Sequence, residues 1–168
     1  MRSVFLTFMC ILLLPVSTVL ANEKPSVSAE NAVLMDQTSG RVLFEKQPHE
    51  QQPVASITKI MTAILVVESG KMDETAIASK RAVHAEGSAI YLEQGEKMTV
   101  KDLVYGLMLR SGNDAAITLS EHIGGSVEGF AHLMNEKASW LGMTQTHFEN
   151  PMAFIRINTI HQPTIWRY

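Results

Sequence analysis

"PVASITKIMTAILVVESG", residues 53–70, decides how the rest of the chain is read. Ile57, Ile60, Met61, Ile64 and Leu65 fall at the i, i+3, i+4, i+7, i+8 spacing of one apolar helix face. Most of the other positions are Ala, Val and Thr, so the pattern predicts a helix enclosed on most sides. Pro53 suits the opening of such a helix and Gly70 its close, as a C′ glycine. Ser56 in the first turn and Lys59 three residues later do not fit that burial, because taking an ammonium out of water is costly.

Toward the N-terminus, "MRSVFLTFMCILLLPVSTVLANEK" has a basic start at Arg2, an apolar run over 4–14, and the small-residue cleavage site Val19-Leu20-Ala21. Residues 1–21 therefore read as a secretory signal peptide, the alternative being an uncleaved interfacial anchor; the apolar run is too short to span a bilayer. Cys10, the one cysteine among the 168 residues, would leave with it. Met9 before it is not the small residue of a lipoprotein processing site. A mature chain of this kind has no thiol or disulfide, so its stability rests on packing, and its length suits one domain with a single core. The formal charge of −3 argues against a nucleic-acid partner.

Residues 22–31 are a polar leader into the fold. Apolar runs at 32–35 and 42–44, with turn chemistry over 36–40, predict a β-hairpin. A polar loop over 47–53 leads to the helix quoted first. Residues 72–99 are mixed in pattern, and "EGSAIYLEQGEKMT" (86–99) looks like short extended pieces joined by turns. Three helices are expected after that, near 100–110, 113–122 and 127–141, opened by the capping residues Thr99, Asn113 and Ser126. The class is α+β, an N-terminal β-hairpin plus a helical cluster. Two strands do not make a stable sheet alone, so later sheet strands are missing from this pattern.

Taken singly, a serine near a helix start is a cap, and a helical lysine snorkels to solvent. Their spacing gives another reading. Residues three apart share a helix face, which brings the Lys59 amine toward the Ser56 hydroxyl. Serine is a poor nucleophile until a base takes its proton, and burial makes lysine a base by disfavouring its ammonium form. A first-turn position also aims free backbone N–H groups at any oxyanion forming beside Ser56. The awkward burial then has a use. Ser111-Gly112-Asn113 joins two predicted helices, and read alone it is a turn with Asn113 as N-cap. Read with Ser56 and Lys59, Ser111 would relay a proton to the leaving group, while Asn113 would hold a substrate amide or orient Lys59.

Ser-x-x-Lys paired with Ser-x-Asn occurs in penicillin-binding proteins and β-lactamases. The chain resembles the low-molecular-mass penicillin-binding proteins that act as D-alanyl-D-alanine carboxypeptidases, over about 29–151. The likeness is carried by "PVASITKIMTAILVVE", "GSAIYLEQGEKMTVKDLVYGLMLRSGNDAA" and "FAHLMNEKASWLGMTQTHFENP". It implies the β-lactamase/transpeptidase-like fold and an envelope or periplasmic serine hydrolase that removes the terminal D-alanine of peptidoglycan stem peptides. By the same likeness Ser56 is the acylated nucleophile, Lys59 its general base, and Ser111 with Asn113 the second catalytic element. β-Lactam antibiotics would acylate the same serine. The likeness implies no metal and no organic cofactor. None of the six histidines stands in an H-E-x-x-H arrangement, and His122 and His132 read as ordinary helix residues.

The sequence departs from that family in two ways. It has no Lys-Thr-Gly triplet, the element whose lysine binds the substrate carboxylate, and no C-terminal amphipathic membrane anchor. The likeness also stops at Asn150-Pro151, before "MAFIRINTIHQPTIWRY" (152–168). Read one base earlier with permitted codons, that tail becomes HGLYSDKHYTPTYDMAI, the continuation the family leads one to expect. The expectation is a partial domain over 22–151 followed by a frameshifted tail, inactive or weakly active, since one lost oxyanion donor costs ~10²–10³ in rate. The competing readings are a β-lactamase of the same fold and an inert peptidoglycan-binding fragment. Against the β-lactamase stand the Ser-Gly-Asn form of the second motif and the lack of a downstream Glu-x-x-Leu-Asn segment.

Overall fold

The computed structural model describes residues 25–50 and 55–152, so the leader over 1–21, the helix-opening role of Pro53 and the tail past Met152 lie outside the described residues. The predicted hairpin is present: β1 (Ala32–Met35) pairs antiparallel with β2 (Val42–Lys46). Leu34 faces Phe44 and Met35 faces Val42, which leaves Leu43 as the extra residue of a bulge. Asp36 closes the turn, its carboxylate accepting the Ser39 N–H at 2.7 Å and its carbonyl the Gly40 N–H at 2.9 Å.

A second ribbon joins β3 (Thr75–Ile77) to β4 (Lys97–Thr99), with Thr75 opposite Thr99. Among the described residues the strands form these two separate two-stranded ribbons. Between β3 and β4 lies α2 (Lys80–Val83), whose Ala82 N–H is capped by Ser79 Oγ at 3.1 Å. The sequence pattern there is mixed and does not predict a helix. A single helical turn is too short to show a 3.6-residue period.

The helices are α1 (Thr58–Glu68), α3 (Val100–Arg110), α4 (Asn113–Gly124) and α5 (Val127–Trp140). Thr99 and Ser126 cap as expected, accepting the N–H groups of Asp102 and Gly129 at 3.1 and 2.9 Å. Asn113 does not cap: Gly112 holds that position, and Asn113 is the first helical residue with its side chain engaged elsewhere.

The helix enclosed on most sides is α4, not α1. Asn113 and every residue after it to Ser120 are buried, because α4 runs between α1, α2, α3 and α5 and its small residues Ala115, Ala116 and Ser120 allow close approach. On α1 the expected stripe is displaced. Ile57 and Ile60 are exposed, while the buried face carries Thr58, Lys59, Met61, Thr62 and Val66. The inward polar groups have partners that offset their burial: Thr62 Oγ1 donates to Pro151 O at 2.9 Å, and Lys59 is described below. Met61, Val66, Leu103, Leu107, Leu119, Phe130 and Met134 fill the core, to which the hairpin contributes no buried residue. Packing α1 against both α3 and α4 brings its N-terminus beside the α3–α4 junction.

Candidate active site

The chain reaches α1 through a tight turn. Thr58, Lys59 and Ile60 N–H groups bond to the carbonyls of Ala55, Ser56 and Ile57, each three residues back, at 3.0–3.1 Å. This is 3₁₀ geometry, and it sets Ser56 two residues before the first α-helical position, not inside the first turn. Ser56 is exposed and Lys59 is 3% exposed, so the nucleophile candidate is reachable and the base candidate is dry.

Lys59 Nζ spends its donors on the α3–α4 junction. It donates to Ser111 O at 2.7 Å, to Ser111 Oγ at 2.9 Å and to Asn113 Oδ1 at 2.6 Å. Ser111 Oγ in turn bonds Ser56 Oγ at 2.9 Å. All four residues singled out from the sequence therefore meet in one network. The link to Ser56 runs through Ser111, whereas the sequence reading had Lys59 reach Ser56 along the helix.

Ser111 ends α3 in the left-handed region, φ 55°, ψ 33°, with the Gly112 N–H closing on Gly106 O at 3.2 Å. That backbone position favours glycine, and holding a serine there costs ~1–2 kcal/mol. The side chain it keeps is the one between Lys59 and Ser56. Asn113 uses both ends of its amide, accepting from Lys59 and donating from Nδ2 to Glu86 O at 2.6 Å.

Burial pushes the Lys59 amine below the ordinary lysine range, and the charge of Asp114 pulls it partly back. The three donated bonds are those of an ammonium. When the amine is neutral, reversing two bonds lets Ser56 donate to Ser111 Oγ and Ser111 to Nζ, which carries a proton from nucleophile to base.

The sequence reading missed Asp114, which is 2% exposed and accepts backbone N–H groups of Ile90, Leu92 and Ala115 at 2.9–3.1 Å. Its signal was present: a carboxylate opening a run of buried small residues needs partners. His122 pairs with Glu74 at 2.9 Å and His132 lies 3.6 Å from Glu136, both away from this network. Among the described residues no group of three or more His, Cys, Asp or Glu side chains is placed to hold a metal ion.

Residues 18–157 match the family model described as D-alanyl-D-alanine carboxypeptidase. The chain is 43% identical over 128 residues to the D-alanyl-D-alanine carboxypeptidase DacF of Bacillus subtilis, covering 73% of this chain and 33% of that protein. Among solved structures it is similar to the D-alanyl-D-alanine carboxypeptidase DacD of Francisella tularensis, with TM-score 0.78, 30% identity, and 92% of this chain and 40% of that one covered. It is likewise similar to penicillin binding protein 5 of Haemophilus influenzae, with TM-score 0.80, 30% identity, and 87% and 45% covered. The chain spans about a third of the length of the curated relatives it matches. The hairpin and helical cluster are thus part of a transpeptidase-like fold.

Proposed function

The chain belongs to the D-alanyl-D-alanine carboxypeptidase family, and from that membership we propose that it carries the acylating machinery of a serine peptidase acting on the D-alanyl-D-alanine ends of peptidoglycan stem peptides. The reading rests above all on one observation, the line from Lys59 Nζ through Ser111 Oγ to Ser56 Oγ with both steps at 2.9 Å. Ser56 Oγ attacks the carbonyl carbon between the two D-alanines, and its proton passes by way of Ser111 to neutral Lys59. As the C–N bond breaks, the same proton returns along the path to the departing D-alanine amine, leaving an ester on Ser56. Water then hydrolyses the ester. Asn113 orients Lys59, its buried amide engaged at both ends. The start of α1 directly after Ser56 favours the negative charge that develops there.

A β-lactam presents a strained amide to the same serine, which gives the direct test. A fluorescent penicillin is expected to label the protein, with the mass increase on Ser56 and no label on Ser56→Ala. Label that survives Ser56→Ala, or none on the unmodified protein, overturns the reading. Rapid turnover of the drug instead of a lasting adduct would mark a β-lactamase. The reading of residues 1–21 as a secretory leader places this chemistry outside the cytoplasm, where peptidoglycan lies. An exported protein beginning at Asn22 is the expected result of N-terminal sequencing. Among the described residues no helix is long and apolar enough to cross a membrane.

A further inference from the structure

Residues 86–92 form a strap over the junction that carries Ser111 and Asn113. Asn113 holds its first half, donating from N to Ser88 O at 2.7 Å and from Nδ2 to Glu86 O at 2.6 Å. Asp114 holds its second half. The carboxylate accepts Ile90 N–H at 3.0 and 3.1 Å on its two oxygens, and Leu92 N–H at 3.1 Å. Between those two amides Tyr91 is left-handed, at φ 65°, and 84% exposed. Amides that flank a left-handed residue form a concave nest for an anion, and here the anion is a side chain of the protein itself. A non-glycine residue keeps such a backbone only where its surroundings impose it. The buried carboxylate is what imposes it.

Asp114 is also the charge that reaches Lys59. Of the other charged groups on helices packed against α1, Lys101, Asp102 and Arg110 on α3 are exposed. On α4, Glu121 is partly exposed near the helix C-terminus and His122 is occupied with Glu74; on α5, Lys137 pairs with Glu68 at the far end of α1, and Glu128, His132 and Glu136 are exposed. The groups that touch Lys59, namely Ser111 and Asn113, are neutral.

We propose that Asp114 is a positioning residue for the Ser56–Lys59 chemistry: its carboxylate clamps the 86–92 strap onto Asn113 and supplies, among the described residues, the buried negative charge that acts on Lys59. The inference rests on the acyl-enzyme reading for its catalytic meaning, but not for its geometry. The clamp holds Asn113 Oδ1 against Lys59, and the charge sets how readily Lys59 becomes a base. Removing the carboxylate acts on both.

Three measurements on the full chain test this. Hydrogen exchange on the unmodified protein is expected to find Ile90 and Leu92 amides at least about 100-fold protected. Exchange as fast as an open loop overturns the clamp without any variant. An NMR titration of ¹³Cε-labelled lysine, with Lys59 assigned by its loss in Lys59→Met, reads the charge. In Asp114→Asn the Lys59 midpoint is expected to move to lower pH, and in Asp114→Glu to stay nearer that of the unmodified protein while strap protection falls about tenfold. A midpoint that does not fall in Asp114→Asn, or falls equally in both variants, overturns the electrostatic role. The penicillin acylation rate should follow the same midpoints, which loss of structure alone would not produce. If the unmodified protein takes no penicillin label, the acyl-enzyme reading fails, while exchange and the Lys59 titration still decide Asp114.

Discussion

Lys59 Nζ donates to Asn113 Oδ1 over 2.6 Å, joining the start of α1 to the first residue of α4, 54 positions along the chain. Because the same amide donates from Nδ2 to Glu86 O, its orientation is set from both ends: oxygen toward the amine, nitrogen toward the strap. A neutral oxygen at that place steadies the lysine without trapping it as an ammonium. A carboxylate would trap it.

Asn113→Asp therefore tests whether neutrality matters. The substitution keeps the shape, places a full negative charge against Nζ and removes the donor to Glu86 O. Lys59 then holds its proton to higher pH. Penicillin acylation at pH 7 is expected to fall by about 10²-fold and to recover in part as the pH is raised. A stopped-flow pH profile that keeps its original midpoint would count against Lys59 as the base.

Ser111 separates strain from chemistry. Both Ser111→Gly and Ser111→Ala remove the hydroxyl between Lys59 and Ser56, so both should lose acylation by about 10²–10³-fold. They differ in backbone. At φ 55° glycine is unstrained and alanine is not. Calorimetry should find the glycine variant more stable than the alanine variant by about 1 kcal/mol, a few degrees in Tm. Equal melting temperatures would mean that Ser111 is not held left-handed.

What was legible in the sequence was local. The hairpin turn at Asp36–Gly40, the bounds of α3 and the caps at Thr99 and Ser126 follow from short-range chemistry, and they stand as read. That Ser56, Lys59, Ser111 and Asn113 lie together was also legible, because spacing and residue type point to it. Which helix lies at the centre was not. Period alone points to the isoleucine-rich α1, but burial follows how closely neighbours approach, and Ala115, Ala116 and Ser120 allow more of it than Ile57 and Ile60 do. The small residues after Asp114 signalled that its carboxylate needs partners, but not which ones: these are backbone amides 22 and 24 residues away, a separation that no local pattern shows.

The lowered Lys59 value has a consequence for stability, with a definite sign. In the unfolded chain the amine titrates near its ordinary 10.5, and in the folded protein below it because burial disfavours the ammonium. Between those two values the unfolded state binds more protons, so stability rises with pH across that window. Below the folded value the full desolvation penalty is present. Urea unfolding from neutral pH to pH 10 should show a positive slope that is smaller in Lys59→Met. Identical slopes would mean that Lys59 is not desolvated.

Gly106 shows two effects of opposite sign at one position. In the interior of α3 an alanine should favour the helix by about 1 kcal/mol over glycine. A Cβ at Gly106, however, would stand 2.8 Å from Ile90 Cδ1 and 3.0 Å from Cγ2. Cδ1 can swing aside, but Cγ2 sits on the branched carbon and moves only with χ1, while Asp114 holds the Ile90 backbone. Overpacking of this kind costs about 1–3 kcal/mol, so it outweighs the helical gain. Gly106→Ala is expected to destabilise the protein by about 1 kcal/mol. In an Ile90→Ala background the obstacle is gone, and the same substitution should stabilise by ~0.5–1 kcal/mol. A double-mutant cycle by urea unfolding should thus give a coupling above about 1 kcal/mol. Additive effects would mean that Ile90 does not rest on Gly106, and the strap would then be held by Asn113 and Asp114 alone.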